Sequence, residues 1–170
     1  MSFELEAFDS HDVGSFDCGN EELTSWLQRA ARDAAGHGTR VFVLVDRPSE
    51  DLERVIGYFA VAPHYVHREQ VSSRLGRGAP TRIPAILLAK FAIDSSMQGE
   101  GLGAELLIRA LLIILEAARR AGGRVVVVDA IDEEAAAFYR HHDFEPMPGN
   151  PHRLLLRLST AAKALGVPWP

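Results

Sequence analysis

Between Ala85 and Ala121 the chain passes from a nine-residue apolar stretch, Ala85–Ile93, through a short polar turn into Gln98-Gly99-Glu100-Gly101-Leu102-Gly103 and then a long helical pattern. No other feature restricts the fold as much. The first turn of a helix carries unpaired backbone N–H groups and the positive end of the helix dipole, and together these hold phosphate oxygens. Glycines at 99, 101 and 103 keep side chains from standing between a pyrophosphate and those N–H groups. Two familiar phosphate loops do not fit. A P-loop needs Gly-Lys-Ser/Thr at the helix start, which is missing, and a dinucleotide fingerprint needs a third glycine where Leu106 stands.

The elements around this unit are legible from periodicity. Phe3–Phe8 alternates apolar and polar residues as a half-buried strand does. Asn20 caps a helix with Glu21 and Glu22 in its first turn and Leu23, Trp26, Leu27, Ala30 and Ala31 on one stripe, ending near Gly36 and Gly38. Thr39–Asp46 and Val55–Pro63 are β-branched and apolar, and the turn-forming residues between them predict a hairpin. His64–Pro84 reads as a long broken loop, a kind that is usually functional or mobile.

Gly101–Ala121 is a helix apolar over more than one face, stopped by Gly122-Gly123. Arg124–Ala130 is a strand covered on both faces, and Asp132 caps a helix over Glu133–His142. Arg153–Leu158 is a last strand. The chain is expected to form one α/β (α+β) domain over residues 1–158, a mixed sheet flanked by helices, with 159–170 as a C-terminal tail.

Composition excludes several classes. With 47% hydrophobic and 24% charged residues the chain is neither disordered nor of low complexity, and it builds a core without staples. Its single cysteine, Cys18, excludes an internal disulfide and reads as a small core residue. The most apolar runs are interrupted by Lys90, Arg109 and Glu116, so no membrane span is expected, and the acidic N-terminus does not resemble a secretory signal. A cytoplasmic location follows. The seven histidines show no metal-ligand spacing; they are expected at the surface, and no metal is expected. The net charge of −5 is uneven: His64–Lys90 holds five basic residues against Glu69, net +4, leaving −9 elsewhere. Such a segment is either a solvated loop or a local anion-facing patch.

The loop resembles the Gln/Arg-x-x-Gly-x-Gly/Ala motif of the GNAT superfamily of acetyl-CoA-dependent N-acetyltransferases, matched by Gln98, Gly101 and Gly103. The resemblance covers roughly residues 3–158. It implies the GNAT fold, with a bulged strand and splayed parallel strands, and acetyl-CoA as co-substrate. By the same resemblance, backbone at Phe91, Ala92 and Ile93 holds the pantetheine arm, and Gln98, Gly99, Glu100, Gly101, Leu102, Gly103 and Ala104 bind the cofactor, the alternative for Gln98 being a cap on the turn. The later family signature, Asn-x-x-Ala-x-x-x-Tyr then Gly-Phe, is matched by Asp132, Ala135, Tyr139 and Phe144. Asp132 in place of Asn accepts but does not donate hydrogen bonds while ionised, and Asp143 replaces the usual Gly. Asp132 and Phe138 are expected beside the cofactor. Tyr139 is implied as the general acid that protonates the leaving thiolate; its alternative is an aromatic packed under the helix. No base is singled out by spacing among Asp94, Glu133 and His64.

Three stretches are similar to the GNAT toxins of bacterial type II toxin–antitoxin modules, the TacT-like group: Phe16-Asp17-Cys18-Gly19-Asn20 with Trp26-Leu27, the strand from Ile83 to Asp94, and Ala136–Tyr139 before Phe144-Glu145-Pro146. That group acetylates the α-amine of aminoacyl-tRNA, which removes the nucleophile needed for peptide transfer and inhibits translation. Its antitoxins are ribbon-helix-helix proteins. The resemblance implies aminoacyl-tRNA and such an antitoxin as partners, a repressor role, a homodimer, and RNA contact through Arg74, Arg77, Arg82 and Lys90. The rivals are an acetyltransferase for a small amine or a protein N-terminus, and a non-catalytic partner-binding module.

Overall fold

The computed structural model describes residues 3–170. Seven strands, β1 (Glu4–Ala7), β2 (Arg40–Ser49), β3 (Leu52–His67), β4 (Arg82–Ile93), β5 (Val125–Asp129), β6 (Glu145–Met147) and β7 (Asn150–Arg157), are ordered β1-β2-β3-β4-β5-β7-β6. β4 and β5 run parallel, joined by the crossover helix that parallel neighbours need. β1–β2, β2–β3, β5–β7 and β6–β7 are antiparallel. The helices are α1 (Glu21–Ser25) and α2 (Ala31–Gly36), α3 (Ser73–Gly76), α4 (Leu102–Ala121), α5 (Glu133–His141) and α6 (Leu158–Leu165). Among the described residues no helix is long and apolar enough to cross a membrane.

The chain divides into two compact units. The first comprises residues up to Ala62 and Ala89–Ala110. Its core joins Phe16, Cys18, Leu23 and Leu27 to Val41, Val43, Tyr58 and Ala92, so Cys18 is the small core residue expected of it. Asn20 caps α1 by accepting from the Leu23 N–H at 2.9 Å, as the sequence predicts. Between α1 and α2, Trp26–Ala30 widens into a π turn, which periodicity did not signal.

The second unit comprises Pro63–Leu88 and the residues from Leu111 on. Its core joins Val66, Ile83 and Ala85 to Val125, Val127 and Leu155. Val125–Val128 are all nearly inaccessible, which explains the unbroken β-branched run. The expected loop 64–84 is shorter than predicted: β3 continues to His67 and β4 begins at Arg82, with the Arg68 N–H on the Thr81 carbonyl at 2.9 Å. A single 3-10 turn, Arg68–Gln70, and α3 lie between. The segment predicted as a tail instead forms α6, which buries Leu158, Ala161 and Ala162. β6 was not predicted.

Candidate functional site

The glycine-rich turn belongs to the first unit and is built on one buried carboxylate. Asp94, which follows β4, is 5% exposed. It accepts from the Asp17 N–H at 3.0 Å, the Ser96 N–H at 3.1 Å, the Ser96 hydroxyl at 2.5 Å and the Arg54 guanidinium at 2.9 Å. Burial alone would raise its pKa; the donors from Asp17 and Ser96, with the nearby Arg54 charge, hold it below its ordinary value. With its lone pairs engaged, Asp94 shapes the turn and is not placed to take a proton from an amine.

Gln98 is the second tie. Its amide donates to the Ile93 carbonyl and to the Cys18 carbonyl, both at 2.9 Å, so the side chain expected at the cofactor, though exposed, has its amide tied to the protein's own backbone. Gly99 and Gly101 follow at φ of +81° and +79°, the left-handed region that favours glycine. A Cβ at either would meet no protein atom within 4 Å, so the space before the turn is open. The Glu105 N–H reaches the Gly101 carbonyl at 3.3 Å, which leaves the N–H groups of Leu102, Gly103 and Ala104 ahead of the first intrahelical bond of α4. Leu102 is buried and anchors this first turn, while Glu100 is exposed. On β4, Ala92 and Ile93 are buried and Phe91 is half-buried. The arrangement fits a pyrophosphate by its backbone: open space, donors and no obstructing side chain.

The second unit holds the aromatic candidate. Asp132 caps α5, accepting from the Ala135 N–H at 2.8 Å, so the residue expected at the cofactor also has a structural task. One turn later Tyr139 is 6% exposed, with the Phe138 and Phe144 rings at 5.3 and 5.4 Å. Burial pushes its phenol well above the ordinary value, so the hydroxyl is protonated at neutral pH. Phe138 is half-buried and meets His142 edge-on at 4.8 Å. Asp143, where the family pattern has Gly, takes φ +73°, so the turn keeps its left-handed form at the strain a carboxylate side chain tolerates best.

The basic residues are not equivalent. Arg74, Arg77 and Arg82 lie in the second unit and Lys90 in the first. Arg74 is ion-paired with Glu145. Arg82 stacks over the Tyr65 ring at 4.6 Å, and Lys90 lies 5.7 Å from the Trp26 ring. Arg77 is exposed on the short link after α3.

The histidines correct the expectation of a purely surface set. His11 is 9% exposed and contacts Glu6 at 2.9 Å. Glu6, His11 and Glu53 offer ligand atoms within 4.8 Å of one another, but the Arg47 guanidinium lies among them, 2.5 Å from Glu6 and 2.7 Å from Glu53, and supplies the positive charge a cation would bring. His64 is half-buried against Arg153, and Arg153 in turn reaches both oxygens of Asp129 at 3.2 Å. The sequence carried no spacing for this row, because its members come from three strands. Its one available signal was the facing of two charged strand ends, Asp129 and Arg153. Glu133 is held below its ordinary value by hydrogen bonds from Arg140 and His152, which leaves it a poor base.

Residues 37–146 match the acetyltransferase (GNAT) domain family. A tRNA-acetylating toxin of Mycobacterium tuberculosis is 36% identical over 159 residues, 93% of either chain. The solved structure of AtaT complexed with acetyl-methionyl-tRNAfMet matches with a TM-score of 0.86 at 26% identity, over 96% of this chain and 99% of that one. A mutant AtaT toxin bound to the C-terminus of the antitoxin AtaR and acetyl-CoA matches with a TM-score of 0.80 at 25% identity, over 98% and 99% of the two chains.

Proposed function

The chain belongs to the acetyltransferase (GNAT) family, and from that premise we propose that it is a toxin that transfers acetyl from acetyl-CoA to the α-amino group of aminoacyl-tRNA and so inhibits translation. The observation that carries this reading is the likeness to the tRNA-acetylating toxin, which runs through nearly the whole of both chains. The match to AtaT in complex with an acetylated aminoacyl-tRNA supports it.

Acetyl-CoA supplies an activated acyl carbon and a thiolate leaving group. In this reading the chain's own residues do four things. The N–H groups of residues 102–104, with the open backbone at Gly99 and Gly101, hold the pyrophosphate. Backbone at Phe91, Ala92 and Ile93 aligns the pantetheine arm. Tyr139 gives the proton that the sulfur takes up as the carbon–sulfur bond breaks and the carbon–nitrogen bond forms. Arg77 and Arg82, with Arg74 and Lys90, meet phosphates of the acceptor stem and favour RNA over a cationic small molecule. The amine's own proton leaves to solvent: an α-amine with a pKa near 8 is already partly neutral, and neither Asp94 nor Glu133 is free to accept it.

The partners in this reading are a ribbon-helix-helix antitoxin, with which the toxin acts as a repressor, and a second copy of the chain, in the cytoplasm. The antitoxin-bound AtaT structure supports an antitoxin as partner. The test is incubation of the pure protein with radiolabelled acetyl-CoA and total charged tRNA. Label on an aminoacyl group is expected. Label confined to free amines or protein N-termini would overturn the RNA assignment, and no transfer to any amine would overturn the enzyme assignment.

A further inference from the structure

Pairing of β4 with β5 stops at Leu88 and Val128, and Asp129 is the first β5 residue beyond that last pair. Opposite it on β7 stands Arg153. Arg153 donates through Nη1 to both Asp129 oxygens at 3.2 Å, and its Nη2 meets His64 Nε2, on β3. Strand alternation puts all three on the sheet face that carries Val66, Val127 and Leu155. The row therefore crosses the sheet where the parallel strands part, at the end of β5 from which the α5 segment with Tyr139 departs.

A guanidinium has donors and no acceptor. His64 Nε2 must therefore be the unprotonated nitrogen, and the proton of the neutral ring sits on Nδ1. Among the described residues that N–H has no hydrogen-bond acceptor. Of the groups around the ring, Tyr65 stacks at 6.3 Å without bonding to it, Arg153 opposes a second positive charge, and Asp129 is committed to Arg153. Burial first, and then Arg153, push the imidazole below its ordinary pKa, with Asp129 opposing weakly. The second ring nitrogen is thus a neutral donor, and the Asp129–Arg153 pair beside it carries no net charge.

We propose that Asp129, Arg153 and His64 form a fixed row whose free His64 Nδ1–H donates to the ester carbonyl oxygen of the aminoacyl group, with His64 as the substrate contact and Arg153 as the residue that positions it. This rests on the aminoacyl-tRNA reading. The ester carbonyl stands one carbon from the amine to be acetylated and is common to every aminoacyl group. A neutral donor aligns it without repelling the amine, as an imidazolium would. The same geometry removes His64 from the candidate bases, since its one lone pair faces Arg153.

Two measurements decide the matter. Nitrogen-detected NMR of the free protein is expected to show neutral His64 as the Nδ1–H tautomer, titrating below the ordinary imidazole value of 6.5, and Arg153→Gln is expected to move that titration only part of the way back up, because burial, the larger cause, remains. An Nε2–H tautomer, or ordinary titration in the unmodified protein, would overturn the row. In kinetics, His64→Gln lacks a donor at the Nδ1 position and is expected to raise KM for charged tRNA about tenfold, the scale of one missing hydrogen bond. His64→Asn places an amide N–H there and is expected to stay within about threefold of the parent. Acetyl-CoA affinity by calorimetry is expected to be unchanged in both. Equal KM for the Gln variant and the parent would overturn the role of His64 at the ester. Absence of any tRNA acetylation would instead remove the functional reading and the proposed acceptor with it, while the NMR result would still report on the row itself.

Discussion

A protonated phenol held in a buried site can hydrogen-bond to a basic leaving group and give it its proton. A departing thiolate is such a group. Tyr139 lies against the Phe138 and Phe144 rings and burial disfavours its phenolate, so it stays an acid across the working range. Tyr139→Phe removes one oxygen and keeps the ring. Turnover should fall about 100-fold or more, the usual scale for a general acid, with acetyl-CoA affinity unchanged by calorimetry. Unchanged turnover would leave the residue a packing aromatic. In the glycine-rich turn, Gly101→Glu places a β-carbon at φ +79° and a carboxylate in the open space before α4. Loss of measurable acetyl-CoA binding is expected, with the folded state retained by circular dichroism. An undisturbed affinity would exclude the turn as the pyrophosphate site.

At the scale of the element, the basic segment divides by what each arginine already faces. Arg74 is compensated by Glu145 and Arg82 leans on Tyr65, whereas Arg77 is exposed on its link and pairs with no carboxylate among the described residues. Arg77→Glu with Arg82→Glu should therefore weaken tRNA acetylation more than Arg74→Glu does. It should also lower the slope of log affinity against log salt by about one for each phosphate no longer met. The check is a salt titration of tRNA binding beside acetyl-CoA calorimetry; equal slopes in all variants would reduce the segment to solvated surface. How far the elements were legible follows from how local their causes are. Asn20 and Asp132 announced their helices because a cap reads only the next three residues, and Gln98–Gly103 announced the turn for the same reason. The ends of β3 and β4 were not legible, because the Arg68–Thr81 hydrogen bond that extends them joins residues thirteen apart. β6 is three residues long with Pro146 in its middle, too short for alternation to register. For α6, Leu158, Ala161 and Ala162 do carry helical spacing, but Leu158 reads equally well as the end of the preceding RLLLRL strand. The candidate turn and Tyr139 were thus readable, while the His64 row, assembled from β3, β5 and β7, was not.

Over the whole molecule, the two units differ in what holds them. The second unit's core is a continuous aliphatic layer across β3, β4, β5 and β7. The first unit also has an apolar core, but β1 is tied to the β2–β3 hairpin by Glu6, Arg47 and Glu53, and the end of β4 by Asp94. Glu6 is pulled down to about 2, chiefly by its hydrogen bonds from Arg47 and His11, against an ordinary value of 4.5. A carboxylate whose folded pKa lies below its unfolded one stabilises the fold above the unfolded value. That contribution fades as pH falls from about 4.5 toward about 2, because the unfolded chain takes up the proton first. Asp94 acts in the same direction. Acid should therefore loosen the first unit before the second: in hydrogen exchange, amides of β1 and β2 should lose protection at a higher pH than those of β5 and β7. Glu6→Gln should flatten the fall of Tm across that window. The pair is only partly buried, so salt should shrink the difference between variant and parent. Simultaneous loss of protection in both sets of strands would mean that the molecule opens in acid as one cooperative body, with these carboxylates incidental to where it begins.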